Sequence, residues 1–136
     1  MKYGNIIIET KEYDRLKEII GSAHNKLDST YRASVEKLLE ELKGAKILSI
    51  SKMPEDVVRF NSTVTIQDPF MKIRSYEIVK PESSNVAQNK ISVLAPMGLA
   101  LFGYAENDEV MWQFPSGIQA IKILKVQQAT DLKQAV

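Results

Sequence analysis

The sequence predicts an α+β protein: a short N-terminal antiparallel helical hairpin, paired as a coiled coil, followed by an antiparallel β-sheet domain with one short helix. Three observations predict it. Apolar residues recur at steps of three and four between residues 10 and 43. Short runs of β-branched and aromatic residues, separated by turn residues, fill residues 57–126. Pro96 and Gly103 bracket one helical segment among those runs. A length of 136 residues allows about one ordinary domain with a small appendage. The expected division is 1–52 for the hairpin and its connector and 53–136 for the sheet domain.

In the first predicted helix Thr10 is placed to cap the N-terminus, and Tyr13, Leu16, Ile19 and Ile20 form one apolar stripe before Gly21-Ser22 ends it. The second starts at Asp28 or Ser29, carries Tyr31, Val35, Leu38, Leu39 and Leu42, and stops at Gly44. Lengths of roughly 15 Å and roughly 21 Å follow from the helical rise, and helices this short are marginal alone. They must pack on each other or on the sheet domain.

Ala45–Glu55 is expected as a connector, interrupted at Met53-Pro54. The predicted strands are Val57–Phe60, Ser62–Ile66, Arg74–Val79, Lys90–Leu94, Glu109–Phe114 and Gln119–Val126, with the helix at Pro96–Phe102. Strand alternation groups Trp112 with Val110 and Phe114 on one side of the sheet, as core.

Composition removes several function classes. Eighteen basic and 17 acidic residues nearly cancel, so there is no overall field to attract nucleic acid or an anionic membrane. The absence of cysteine removes disulfide scaffolds and thiolate nucleophiles. The longest apolar stretch, Ile91–Gly103, is too short and interrupted to span a bilayer, and the N-terminal residues lack a signal-peptide pattern. A cytoplasmic location is expected, with no membrane contact.

Catalytic patterns are equally sparse. The single histidine, His24, falls in the hairpin turn, away from the sheet domain, and only Asp28 is near it in sequence as a metal companion. Neither phosphate-cradling glycine motif is present. The adjacent carboxylates Glu40-Glu41, Glu55-Asp56 and Asp108-Glu109 point in different directions on a helix or strand and read as solvated charges. Lys37, Lys43 and Lys46 read as a solubilising face. No cofactor, metal or small-molecule substrate is expected.

One extended motif does carry a function. SYEIVKPE at Ser75–Glu82, KISVLAPMGLALFG at Lys90–Gly103 and NDEVMWQFPSGIQAIKILKV at Asn107–Val126 resemble, in order and spacing, the C-terminal domain of the GreA/GreB transcription factors. MPEDVVRFNSTVTIQD at Met53–Asp68 and the short hairpin are nearest to the Rnk branch of that family. The resemblance implies an FKBP-like C-terminal domain, and docking on RNA polymerase near its secondary channel, with nucleic acid reached only through the polymerase.

It also implies site residues. The polymerase grip falls on Leu94, Ala95, Pro96 and Met97, where Leu94 and Met97 are open to two readings, partner contact or plugs of the domain's own core. The hairpin tip falls on His24, Asn25 and Asp28. Cleavage factors of the family carry acidic residues there that help hold a metal ion in the polymerase. Here the tip has one acid, Asp28, which a helix-capping role also explains. A non-enzymatic polymerase binder is therefore the leading expectation. A transcript-cleavage-stimulating factor is the first alternative, and a proline isomerase with a pocket from Tyr76, Phe102, Tyr104, Trp112 and Phe114 is the second.

Overall fold

Two-residue alternation builds the main sheet. In β3 (Thr63–Gln67) Val64 and Ile66 are buried, while Thr63, Thr65 and Gln67 alternate with them on the other face. The structure, a computed structural model, describes residues 2–23, 29–114 and 117–129. Its other strands are β1 (Ile7–Glu9), β2 (Lys46–Leu48), β4 (Ile73–Val79), β5 (Lys90–Ser92), β6 (Glu109–Phe114) and β7 (Gly117–Gln127). The helices are α1 (Thr10–Ala23), α2 (Ser29–Lys43) and α3 (Pro96–Leu101). The fold is α+β.

The five-stranded sheet has the order β5-β4-β3-β7-β6. Its β3–β4, β3–β7 and β6–β7 pairs are antiparallel, but β5 lies parallel to β4, with Glu77 opposite Lys90. The expected antiparallel sheet is thus mixed. Between β4 and β5 the chain passes through two 3-10 turns, Pro81–Ser83 and Val86–Gln88. Asn85 then exchanges two backbone hydrogen bonds with Lys90 and delivers β5 in the parallel sense. β5 stops at Ser92, because the next residues turn into α3.

Val57–Phe60 is corrected from a strand to a connector. Val57 and Val58 are both fully buried, which strand alternation does not allow against a single core face. Val58 instead exchanges backbone hydrogen bonds with the exit of α3, donating to Tyr104 and accepting from Gly103. The expected connector Ala45–Glu55 contains β2, which pairs in parallel with β1. Neither three-residue strand has a periodic signal of its own.

The helical stripes fall on the expected residues, apart from Tyr31, whose side chain lies outside the described residues. Leu16 and Ile20 of α1 and Val35, Leu38 and Leu42 of α2 join Ile66, Ile78 and Ile123 of the sheet in one buried cluster. The cap is different: Glu9, not Thr10, accepts the backbone N–H groups of Lys11 and Glu12, at 2.9 and 3.2 Å. Glu9 is itself buried, and these donors satisfy its carboxylate. Thr10 donates its hydroxyl to the Leu48 carbonyl, which fastens the start of α1 to β2. α1 also runs past Gly21-Ser22 to Ala23. The side chains of Trp112 and Phe114 lie outside the described residues.

Candidate partner-binding site

The segment that leads into α3 is held by its own backbone. Ser92 accepts from Leu94 N–H through its hydroxyl (3.0 Å) and from Ala95 N–H through its carbonyl (3.0 Å). Ala95 is extended at φ −66°, ψ 152°, and Pro96 takes the first helical position, where it has no N–H to leave unpaired. Gly98 is required by a close approach: a Cβ there would sit 2.3 Å from the Ser92 carbonyl oxygen. α3 is therefore pressed against the strand that precedes it. Gly103, at φ +85°, ends the corner and accepts the Ile7 N–H, which docks β1 beside it.

This corner turns Val93 into the core and leaves Leu94, Ala95, Pro96 and Met97 half-buried at the surface. Leu94 and Met97 pack on the edge of the buried cluster while part of each side chain stays outside. The two readings of these side chains, plug and contact, are geometrically compatible.

Leu94 also lines a cleft of about 420 Å³, whose other walls are Arg15, Glu18, Ile19 and Ser22 of α1 and the Pro81-Glu82 turn. The floor is apolar (Ile19, Pro81, Leu94), and charges of both signs stand on the rim. Such a surface suits one face of a polypeptide segment, with apolar contact at the centre and polar contact around it. Sequence reasoning placed Leu94 here but not α1. Ile19 belongs to the helical stripe, yet Arg15, Glu18 and Ser22 carry no sequence signal that separates them from any solvated helix face.

Four contacts hold the helices to the rest of the domain. Arg59 Nε donates to Glu12 Oε1 at 2.9 Å, between side chains that are largely buried. Burial pushes the Glu12 carboxyl above the usual carboxylate range, and the Arg59 guanidinium pulls it back in part. Tyr104, two residues beyond α3, donates its hydroxyl to Glu41 Oε2 of α2 at 2.6 Å. Its own ionisation is pushed upward by burial and by that carboxylate. Lys37 Nζ donates to the Met111 carbonyl of β6 at 2.6 Å. In addition α2 packs directly on α3.

The expected tip residues His24, Asn25 and Asp28 lie outside the described residues. Among the described residues no group of three or more histidine or acidic side chains is close enough to hold a metal ion, and no helix is long and apolar enough to cross a membrane. Of the aromatics named for an isomerase pocket, Phe102 is buried against Phe60, with ring centroids 4.9 Å apart, and Tyr104 is buried with its hydroxyl committed to Glu41. Tyr76 packs on the core edge.

Residues 53–128, which include the α3 corner and the whole five-stranded sheet, match the family described as transcription elongation factor GreA/GreB, C-terminal part. The chain belongs to the GreA/GreB family. Transcription elongation factor GreA of Hyphomonas neptunium is 34% identical over 119 residues, which span 87% of this chain and 71% of that protein. GreA of Syntrophus aciditrophicus is 31% identical over 119 residues, 87% of this chain and 69% of that one. Among solved structures, a transcription elongation factor GreA/GreB from Nitrosomonas europaea superposes with a TM-score of 0.71 at 28% identity, over 90% of this chain and 99% of that one. GreA/GreB kinship thus extends over α1 and α2 as well as the C-terminal part.

Proposed function

We propose that this GreA/GreB-family chain is a cytoplasmic transcription regulator that binds RNA polymerase at the entrance of the secondary channel and does not itself stimulate transcript cleavage. The grip is Leu94, Ala95, Pro96 and Met97, together with the cleft beside them. In this reading residues 53–136 form an FKBP-like unit, residues 1–52 a truncated coiled coil nearest to the Rnk branch, and nucleic acid is reached only through the polymerase.

The observation that carries the proposal is the shared cleft. Leu94, directly before the family's S/A-P step, and Arg15, Glu18, Ile19 and Ser22 of α1 line one cleft, so a single polymerase segment can touch both. Family membership supplies the class of partner, and the apolar floor with its mixed-charge rim supplies the chemistry. The lack of cleavage rests on the tip sequence, where Asp28 is the only acid between Gly21 and Asp28.

The test has two arms. Purified chain is expected to co-elute with core polymerase and to compete with a cleavage factor for it; no retention at micromolar protein would reject polymerase binding. In stalled elongation complexes the chain is expected to leave the nascent RNA at its original length. Shortened RNA that depends on Asp28, shown by its loss in Asp28→Ala, would instead establish the cleavage-stimulating alternative.

A further inference from the structure

Five of the eight large hydrophobic side chains exposed among the described residues lie towards one end of the sheet, Phe70 and Met71 in the β3–β4 turn and Ile73, Met111 and Ile118 on the strand face that no described helix covers. Phe70, Met71 and Ile73 are 76%, 74% and 65% exposed at the β3–β4 turn, and Met111 and Ile118 are 52% and 68% exposed on β6 and β7. The ladder sets the three strand residues on one face. Ile73 lies opposite Gln67, Gln67 opposite Lys122, and one step further along β7 Ala120 lies opposite Met111, with Ile118 next on the same face.

The turn is built to present them. Asp68 Oδ1 accepts the N–H groups of Phe70 (2.8 Å) and Lys72 (3.0 Å), and the Asp68 and Met71 main chains close the loop with further hydrogen bonds. Met71 is held at φ +67°, while every other positive φ among the described residues belongs to asparagine or glycine. A methionine in this region carries strain that asparagine or glycine would relieve. A rigid turn that keeps a strained, exposed methionine beside an exposed phenylalanine is pre-organised for contact.

Charge selects the partner. Asp68 is occupied by the turn and by Arg74, whose Nε is 3.7 Å away. Around the apolar end this leaves Lys72, Lys122 and Lys125 exposed, with Glu109, the cross-strand neighbour of Lys122, as the nearest acid in the ladder. Of the five, only Phe70 offers a π-face for stacking bases, so the patch suits apolar contact with a polypeptide better than a run of stacked nucleotides. We infer that this end of the open sheet face is a second protein-binding surface, whose occupant is an amphipathic segment of a partner with an apolar face flanked by carboxylates. It lies on the face opposite α1, α2 and α3. The polymerase cleft stays accessible when it is filled.

The probe is a synthetic amphipathic helical peptide of leucine and glutamate, titrated against the full chain by fluorescence anisotropy, with a leucine–lysine peptide of equal length as comparison. The acidic peptide is expected to bind, and roughly tenfold more weakly to a Phe70→Ser/Ile73→Thr variant, the scale of one hot-spot contact. Lys72→Glu/Lys122→Glu is expected to weaken it similarly, and Val86→Ser, an exposed apolar change elsewhere, to leave it unchanged. Circular dichroism confirms that each variant folds.

Several results would overturn the inference. These are no binding of the acidic peptide, equal binding of both peptides, unchanged binding by the Phe70→Ser/Ile73→Thr variant, or binding to phosphatidylglycerol vesicles in place of the peptide. Self-association of the free chain that disappears in the Phe70→Ser/Ile73→Thr variant would assign the surface to a second copy and equally reject an acidic partner.

Discussion

The two faces of the five-stranded sheet are made by the same strands and carry different tasks. On the helix-covered face Val64, Ile66, Ile78 and Ile123 are sealed from solvent. On the open face Thr65 and Ser75 share a 2.9 Å hydroxyl hydrogen bond across β3 and β4, next to the rows that end in Ile73 and Met111. Apolar area on the first face is removed from water by folding, at about 25 cal/mol per Å². Apolar area on the second gains nothing until something binds. The difference teaches that in β3, β6 and β7 a hydrophobic residue is read by its strand parity: one parity supports the fold, and the other is available to a partner.

The largest expected effect lies on the covered face. Phe102→Ala removes a fully buried ring that packs against Phe60 and joins α3 to the core. It is expected to cost about 3–5 kcal/mol in urea unfolding. A loss below ~1 kcal/mol would mean that the α3 corner is not part of the core and would break the comparison.

The next effect concerns the tie between α1 and the chain before β3. Arg59→Ala leaves the largely buried Glu12 carboxylate without its partner and is expected to cost roughly 2–3 kcal/mol at neutral pH. The pH dependence has a definite sign. Burial already raises the folded pKa of Glu12, and removing Arg59 removes the groups that lower it, so it rises further above the unfolded value. Stability linked to a raised carboxyl is fully present below the unfolded pKa and is lost as pH rises through the folded pKa. The deficit of the variant relative to the parent should therefore be largest near neutrality and shrink towards about pH 4. A deficit that grew on acidification would contradict the assignment.

Tyr104→Phe is expected to matter less. It deletes the hydroxyl that Glu41 accepts, while the other Glu41 oxygen is already buried with no hydrogen-bond partner among the described residues. The expected loss is about 1–2 kcal/mol, measured by thermal or urea unfolding. The smallest effects belong to the open face: Phe70→Ser should stay within about 0.5 kcal/mol of the parent. Met71→Gly, which relieves the positive φ, should be neutral or stabilising by up to about 1 kcal/mol. If Phe70→Ser were as costly as Phe102→Ala, the division between the two faces would not hold.

Much of the fold was legible because its signals are local. The stripes of α1 and α2, the Pro96 and Gly103 ends of α3, and the β6 boundaries all follow from periodicity and terminal residues. What failed was set by distant partners. β1 and β2 exist because Gly103 and each other accept them, and Val57-Val58 pairs with the α3 exit instead of extending the sheet. The parallel placement of β5 depends on the Asn85–Lys90 backbone contact, which no strand pattern encodes. Glu9 took the cap because a buried carboxylate needed donors more than the Thr10 hydroxyl did.

The candidate site divides in the same way. Leu94 to Met97 stood out through a motif contiguous in the chain, whereas Arg15, Glu18 and Ser22 meet Leu94 only in three dimensions. Exposure alone identifies Phe70, Met71 and Ile73 as a separate surface. Their sequence merely reads as the end of one strand, a turn and the start of the next.

The most direct measurement of the central claim is equilibrium binding of the full chain to core RNA polymerase, comparing Leu94→Asp, in the cleft, with Phe70→Ser, on the open face. A charge in the apolar floor of the cleft is expected to weaken binding by roughly tenfold or more, while Phe70→Ser matches the parent. Equal affinity for the parent and Leu94→Asp, with both correctly folded, would contradict the account.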